Sequence, residues 1–322
     1  MIDETDEMAG ELQAQGLRHG QIHPQMAEHY HGHRHGQVET QARLNQPNGD
    51  ASGDDRPQET AGHHHQGQTV LVARSHSGVA GDMLLAGLAV LFLERDGLDP
   101  EGPESGDWLR QLCSGIMADL DGAASLHRAV VGGIRGWRLT VALPHVHEHR
   151  CLDDISGIIS RAAIQPEARD LARSCFSLLA ECEAEAHGID RNEIHFHEVG
   201  SLDSILDICA SCELYARLGM PPIHCGSLPI ADGQVHCAHG VLPAPAPAAL
   251  RLLRGVPVHP FPGDAHAGEL LTPTGLALLR TFNARFGRWP ACQIRNTATV
   301  YGQKEFANAP NGLIFALGRM AE

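Results

Sequence analysis

"QTVLVARSHSGVAGDMLLAGLAVLFLERDG", residues 68–97, sets the plan of the fold. Its first eight residues form an aliphatic, β-branched run that predicts a strand over 68–75. The glycine-bearing turn "SGVAGD" (77–82) then opens an apolar helix. Gly78 and Gly81 in that turn leave backbone N–H groups free at a helix N-terminus, a geometry that holds phosphate groups. Asp82 opposes an anion there unless a cation mediates.

Downstream, a second helix is expected around 107–120, and "LHRAVVGGIRGWRLTVALPHV" (126–146) reads as two strands joined by a glycine turn. Helices follow at about 151–163 and 166–187, the second opening on Pro166. "SLDSILDICASCELYARLG" (201–219) is a further helix, with Ser201 placed as its N-cap. "IHCGSLPI" (223–230) and "GQVHCAHG" (233–240) are strand-like. "PAPAALRLLRG" (245–255) and "TPTGLALLRTFNARFG" (272–287) are helix starts and bodies. Strands return at 292–302 and 311–318. Strands and helices mix without regular alternation or internal repeat, which predicts an α+β fold, a mixed sheet with packed helices.

Upstream, residues 1–68 carry the tracts "HYHGHRHG" (29–36) and "GHHHQG" (62–67) among Gln, Gly, Asp and Glu. So little apolar surface cannot offset the entropy of ordering, so a disordered His-rich extension is expected over 1–68. It is read either as a loose metal-gathering tail or as a solvated low-complexity segment.

The chain of 322 residues carries a formal net charge of −15, which argues against nucleic acid and anionic membrane surfaces as partners. Its 22 histidines raise the expectation of metal handling. Nine scattered cysteines fit reduced thiols in the cytoplasm better than a disulfide scaffold. The N-terminus has no secretory pattern, and the apolar run ending before Glu94 is too short to span a bilayer.

"HFHEVGSLDS" (195–204) is the densest cluster of donor side chains. In an extended segment His195 and His197 project from one face, roughly 6–7 Å apart, with Glu198 at the turn. Asp203 and Asp207, at i and i+4, share one face of the helix that follows. These five suit metal or substrate binding, and a hydrogen-bonded corner is the structural alternative. His236, Cys237 and His239 offer nitrogen and sulfur ligands of the kind nickel or zinc accepts. His145, His147 and His149 alternate in "LPHVHEHRCLDD" (143–154) and form an ion-gathering face if extended. Thr272 and Thr274 present hydroxyls before another helix, with capping as the plain explanation. Cys209 and Cys212 form a CxxC within a stripe of small apolar residues, and buried packing explains them best. No Walker loop, G-x-S-x-G elbow or H-E-x-x-H motif is present.

"SGVAGDM", "HFHEVGSLDSILDI", "SLPIADGQVHCAHGVLPAPAPAAL", "GVPV" and "ELLTPTG", in this order, resemble the LarC family over roughly 69–318. That resemblance implies nickel insertion into pyridinium-3,5-bisthiocarboxylic acid mononucleotide, the precursor of the nickel pincer cofactor of lactate racemase-type enzymes. It also implies a requirement for CTP with Mn2+ or Mg2+. Carried over by motif, His195, His197, Glu198, Asp203 and Asp207 are the first choice for nickel, and His236, Cys237 and His239 the second. Glu198 or His197 is the expected proton acceptor, and Gly78, Gly81, Asp82, Thr272 and Thr274 are the candidates for the substrate phosphate.

The sequence departs from the family pattern at Arg74, where an acid is usual, and in the shortened "YGQKEFANAPN" (301–311). It ends at Glu322, about where the family's N-terminal domain ends. The expected organisation is therefore 1–68 as extension and 69–322 as nickel-insertion domain, with the family's C-terminal CTP-binding domain absent from this chain; either a separate CTP-binding subunit supplies it, or the chain is a divergent or truncated member that only binds metal. A homo-oligomer is left open. The rival readings are a non-catalytic nickel or zinc metallochaperone or store, and a metal-dependent hydrolase using the same cluster.

Overall fold

The computed structural model describes residues 67–143, 150–196, 199–306 and 309–321. The expected His-rich extension lies, through residue 66, outside them, as do His145, His147, His149, His197 and Glu198.

The opening strand is β1 (Thr69–Ser75), with Val70, Leu71, Val72 and Ala73 all buried, so both of its faces are covered. The turn after it leads into α1 (Gly81–Arg95), in which every residue from Met83 to Leu93 is buried. A helix apolar all round has no solvent face to present, so it becomes the centre of the molecule. At Gly87 the helix backbone comes so close to the Phe315 ring that a methyl group would overlap it. Gly87→Ala is therefore expected to cost about 1–3 kcal/mol, read as a lower midpoint of urea unfolding. An unchanged midpoint would mean that the ring simply turns aside.

The second helix, α2 (Pro103–Ile116), starts and ends about four residues earlier than its expected position. Gly102 and Pro103 supply the start, and Met117 turns extended, leaving a single 3-10 turn at Ala118–Leu120. The expected strand pair is β2 (Ala124–Val131) and β3 (Ile134–Val141), paired antiparallel. Gly132 and Gly133 both take positive φ (58° and 80°), which a two-residue hairpin with the right-handed strand twist requires.

Next come β4 (Arg150–Cys151), α3 (Leu152–Arg161) and α4 (Pro166–His187), close to the expected ranges. Gly188, with φ 68°, stops α4 in the left-handed conformation. The short β5 (His195–Phe196) pairs with β4, and α5 (Leu202–Arg217) follows its N-cap Ser201.

The segment expected as one strand at 223–230 divides into β6 (Ile223–Cys225) and β7 (Leu228–Ile230), which belong to different sheets. A ribbon of β8 (Gln234–Cys237) and β9 (Gly240–Pro243) pairs with no other strand among the described residues. Then come α6 (Pro247–Leu252), β10 (Val258–Pro260) and α7 (Pro273–Thr281). The last is shorter than its apolar run suggested, because Asn283 adopts φ 51° and the chain returns as β11 (Arg285–Phe286). The C-terminal strands are β12 (Cys292–Tyr301) and β13 (Gly312–Met320).

The main sheet has seven strands in the order β11-β6-β1-β13-β12-β3-β2. Pairing is parallel at β11/β6, β6/β1 and β12/β3 and antiparallel at β1/β13, β13/β12 and β3/β2, so the sheet is mixed, as expected. Leu71, Ala73, Ala298, Leu313, Phe315 and Leu317 belong to the same core cluster as α1, α4, α5 and α7. Among the described residues no helix is long and apolar enough to cross a membrane.

Candidate functional site

The starts of α1, α5 and α7 converge on one cavity of about 430 Å³. Asp82, Asp203, Asp207, Thr272, Thr274 and Gln303 face it, and Gly81 contributes backbone. Tertiary hydrogen bonds hold the starts of α1 and α7 together. Val79 bridges Leu271, Thr272 N–H donates to the Val79 carbonyl at 3.0 Å, and Gly275 packs directly on Val79 and Ala80. Thr272 caps α7 by accepting from Gly275 N–H at 3.2 Å. Gly81 lies so close to the Asp207 carboxylate that no side chain would fit.

Burial and helix dipoles act on these carboxyls in opposite directions. Helix N-termini favour negative charge, yet removal from water disfavours it more strongly at this depth. Burial pushes the Asp82 carboxyl up to about 6, against the opposing hydrogen bond from Met83 N–H (2.8 Å) and the charge of Arg138, with Asp203 adding to the rise. Asp207 is held well above the usual carboxylate range, first by burial and then by the charges of Asp82 and Asp203. Its Oδ1 is shut from solvent and has no hydrogen-bond partner. Asp203 is exposed and accepts from Ser204 N–H at 2.8 Å and from the Ser201 hydroxyl. The cavity thus favours protons or a cation over a bare anion, as the acid at position 82 foreshadowed. Gly78 does not line it. Its N–H donates to Ser75 Oγ at 3.0 Å and its Cα packs against the Leu270 carbonyl, so close packing explains this glycine. Arg74 is also elsewhere, donating to the Gly287 carbonyl at 2.7 Å and stacking over Trp289.

A second cavity, of about 330 Å³, gathers a different set of donors: His187, His195, Cys237 and His239, with Glu183 and Glu269. His187 is the last residue of α4, and its ring centroid lies 4.7 Å from that of His239. Its Nε2 is 3.8 Å from a Glu183 carboxylate oxygen one helical turn earlier. Strand alternation on β8 turns Val235 and Cys237 toward the cavity and leaves His236 exposed, so His236 parts from the two residues grouped with it in sequence. His195 likewise parts from Asp203 and Asp207. The turn at 199–201, held by Arg150 donating to the Gly200 carbonyl at 2.8 Å, sends the acids to the first cavity and leaves His195 in the second. The start of α7 stands between the two, with Glu269 and Pro273 lining one side and Thr272 and Thr274 the other.

Among the described residues, no three His, Cys, Asp or Glu side chains are disposed as they stand to hold a metal ion. Cys209 and Cys212 are fully buried, and burial pushes the Cys209 thiol up to about 12, so the packing reading of the CxxC holds. His187, Glu183, Glu269 and Gln303 were not singled out from sequence. His187, at a helix end before glycine, carried no signal beyond a favourable dipole contact.

The α+β domain thus sets an oxygen-donor cavity beside an imidazole–thiol cavity. Residues 71–322 match the family described as nickel insertion protein, and the chain belongs to that family. It is 36% identical over 252 residues to the pyridinium-3,5-bisthiocarboxylic acid mononucleotide nickel insertion protein of Desulfitobacterium hafniense (strain DSM 10664 / DCB-2), covering 76% of this chain and 57% of that one. The protein of the same name from Staphylococcus epidermidis is 35% identical over 238 residues, covering 73% and 56%. The chain therefore spans less than two thirds of the length of these relatives. No solved structure matches it.

Proposed function

We propose that this chain inserts nickel into pyridinium-3,5-bisthiocarboxylic acid mononucleotide, the substrate in the relatives' names. The supporting observation is the convergence of three distant segments, 80–82, 203–207 and 272–274, on one acid cavity. Insertion replaces the proton on a pyridinium ring carbon with nickel. The C–H electron pair becomes the Ni–C bond and the proton passes to a base. Asp82, pushed up to about 6, is a proton acceptor suited to neutral pH and joins Glu198 and His197 as candidates for that role. Carboxylates and the Thr272 and Thr274 hydroxyls suit a hard cation such as Mg2+ or Mn2+, through which the substrate phosphate would be held. Nickel is the incoming substrate.

In this reading CTP with Mn2+ or Mg2+ is a co-substrate bound by a separate domain or subunit, which fits a cavity whose lining among the described residues holds no lysine or arginine. A cytoplasmic setting suits nine cysteines that are all free thiols. The test is incubation of the purified chain with Ni2+, the mononucleotide and Mn2+–CTP, with and without the C-terminal portion of a relative. Metallated product, followed by mass, is expected at least in the supplemented reaction. No product in either reaction overturns the proposal.

A further inference from the structure

We infer that the cavity formed by His187, His195, Cys237 and His239 is a holding site for a borderline divalent metal ion, distinct from the acid cavity. That the metal is nickel rests on the proposed function; that the site exists does not. Four donors reach it from four separate places in the fold: the end of α4, β5, the inward face of β8, and the β8–β9 turn. The His187 and His239 rings, 4.7 Å apart between centroids, already stand side by side at its wall. Cys237 follows from the same ribbon two residues earlier, on the side that strand alternation turns inward. A Glu183 carboxylate oxygen lies 3.8 Å from His187 Nε2 and adds negative charge that favours a cation here. Phe196, Val235 and Leu242 supply an apolar wall that raises the strength of charge interactions inside.

Donor chemistry separates the two cavities. Imidazole and thiolate select ions of the nickel and zinc type, whereas carboxylate and hydroxyl oxygens select magnesium and manganese. With the start of α7 between them, a nickel ion can be held apart from an abundant hard cation. The donors do not yet converge, and the missing closure falls to the β8–β9 ribbon, which among the described residues pairs with no other strand. A two-stranded ribbon has little stability of its own and can shift at low cost.

The full chain contains 22 histidines, so the readout must be specific to sulfur. Titration with Ni2+ is expected to produce near-ultraviolet sulfur-to-nickel charge-transfer absorption that saturates at one equivalent. Residues 1–68 hold no cysteine and cannot produce it. Cys237→Ser should abolish the band, and Cys151→Ser should retain it. His187→Ala and the milder His239→Gln should each weaken the band-forming affinity at least tenfold, while the outward-facing His236→Ala should leave it unchanged. A band that survives Cys237→Ser, or wild-type affinity in both histidine variants with unaltered thermal melting, overturns the site. Metallation measured on the same wild-type protein separates the two claims. A Cys237-dependent band without product refutes the insertion reading alone, and product without such a band refutes the holding site alone.

Discussion

Replacing Asp82 with asparagine should stabilise the protein at pH 8 and at the same time slow nickel insertion by about 10²–10⁴-fold, the range for loss of a general base. The stability gain follows from proton linkage. The folded-state value is about 6 against an ordinary 3.8. Between these values the folded chain keeps a proton that the unfolded chain has released, so stability falls as pH rises from 3.8 through 6. Above 6 the full deficit is present, about 3 kcal/mol at 1.36 kcal/mol per unit. Asparagine keeps the Oδ1 that accepts from Met83 N–H and removes the buried charge, although Arg138 loses a favourable neighbour. For a domain of this size the thermal midpoint at pH 8 should rise by roughly 5–10 °C. Well below 3.8, where the wild-type carboxyl is protonated in both states, the two proteins should melt alike. Calorimetry at both pH values decides the matter. An asparagine variant no more stable than wild type at pH 8 would show that Asp82 is not held under this strain. The insertion rate of the wild type should itself climb as pH rises through about 6.

Phe196→Ala is expected to destabilise the fold by about 3–5 kcal/mol, the cost of truncating a fully buried aromatic. Phe196 is 1% exposed and meets Phe176 of α4 edge-on, with ring centroids 6.3 Å apart. Gly200 packs against its Cβ, so this one ring pins both the two-residue strand and the turn that parts His195 from the acids. The midpoint of urea unfolding should fall sharply, while Phe196→Leu should recover most of the loss. A cost below 1 kcal/mol would mean that the strand is held by its β4 pairing and not by the ring.

Local signals in the sequence identified much of the fold. The β1–α1 unit, the Gly132–Gly133 hairpin, α4 between Pro166 and Gly188, and α5 after Ser201 each carry their own start and stop residues. Errors arose where a single backbone conformation intervened, as at Met117 for α2 and Asn283 for α7.

The site was legible in pieces. Sequence reasoning placed Asp203 and Asp207 on one helix face and proposed Gly81, Asp82, Thr272 and Thr274 as a separate cradle. The packing of α1 on α5, which sets Gly81 directly against the Asp207 carboxylate, brings the two groups to one cavity, and the Val79–Leu271 bridge, a contact across about 190 residues, joins the two halves of the cradle. Conversely, His195 and Asp203 are neighbours in sequence yet serve different cavities, because one tight turn lies between them. His187 was missed because its partners come from a ribbon some fifty residues later.

Enclosure of α1 on every side has a consequence for how the molecule breathes. Amide hydrogens from Leu84 to Leu93 can exchange with solvent only when the whole domain opens, whereas those of the β8–β9 ribbon exchange through local opening. Asp82, on the first turn of α1, therefore belongs to the slowest-exchanging part of the domain, whereas Cys237 and His239 belong to a ribbon outside the main sheet. Metal capture would slow exchange in the ribbon and leave the central helix untouched.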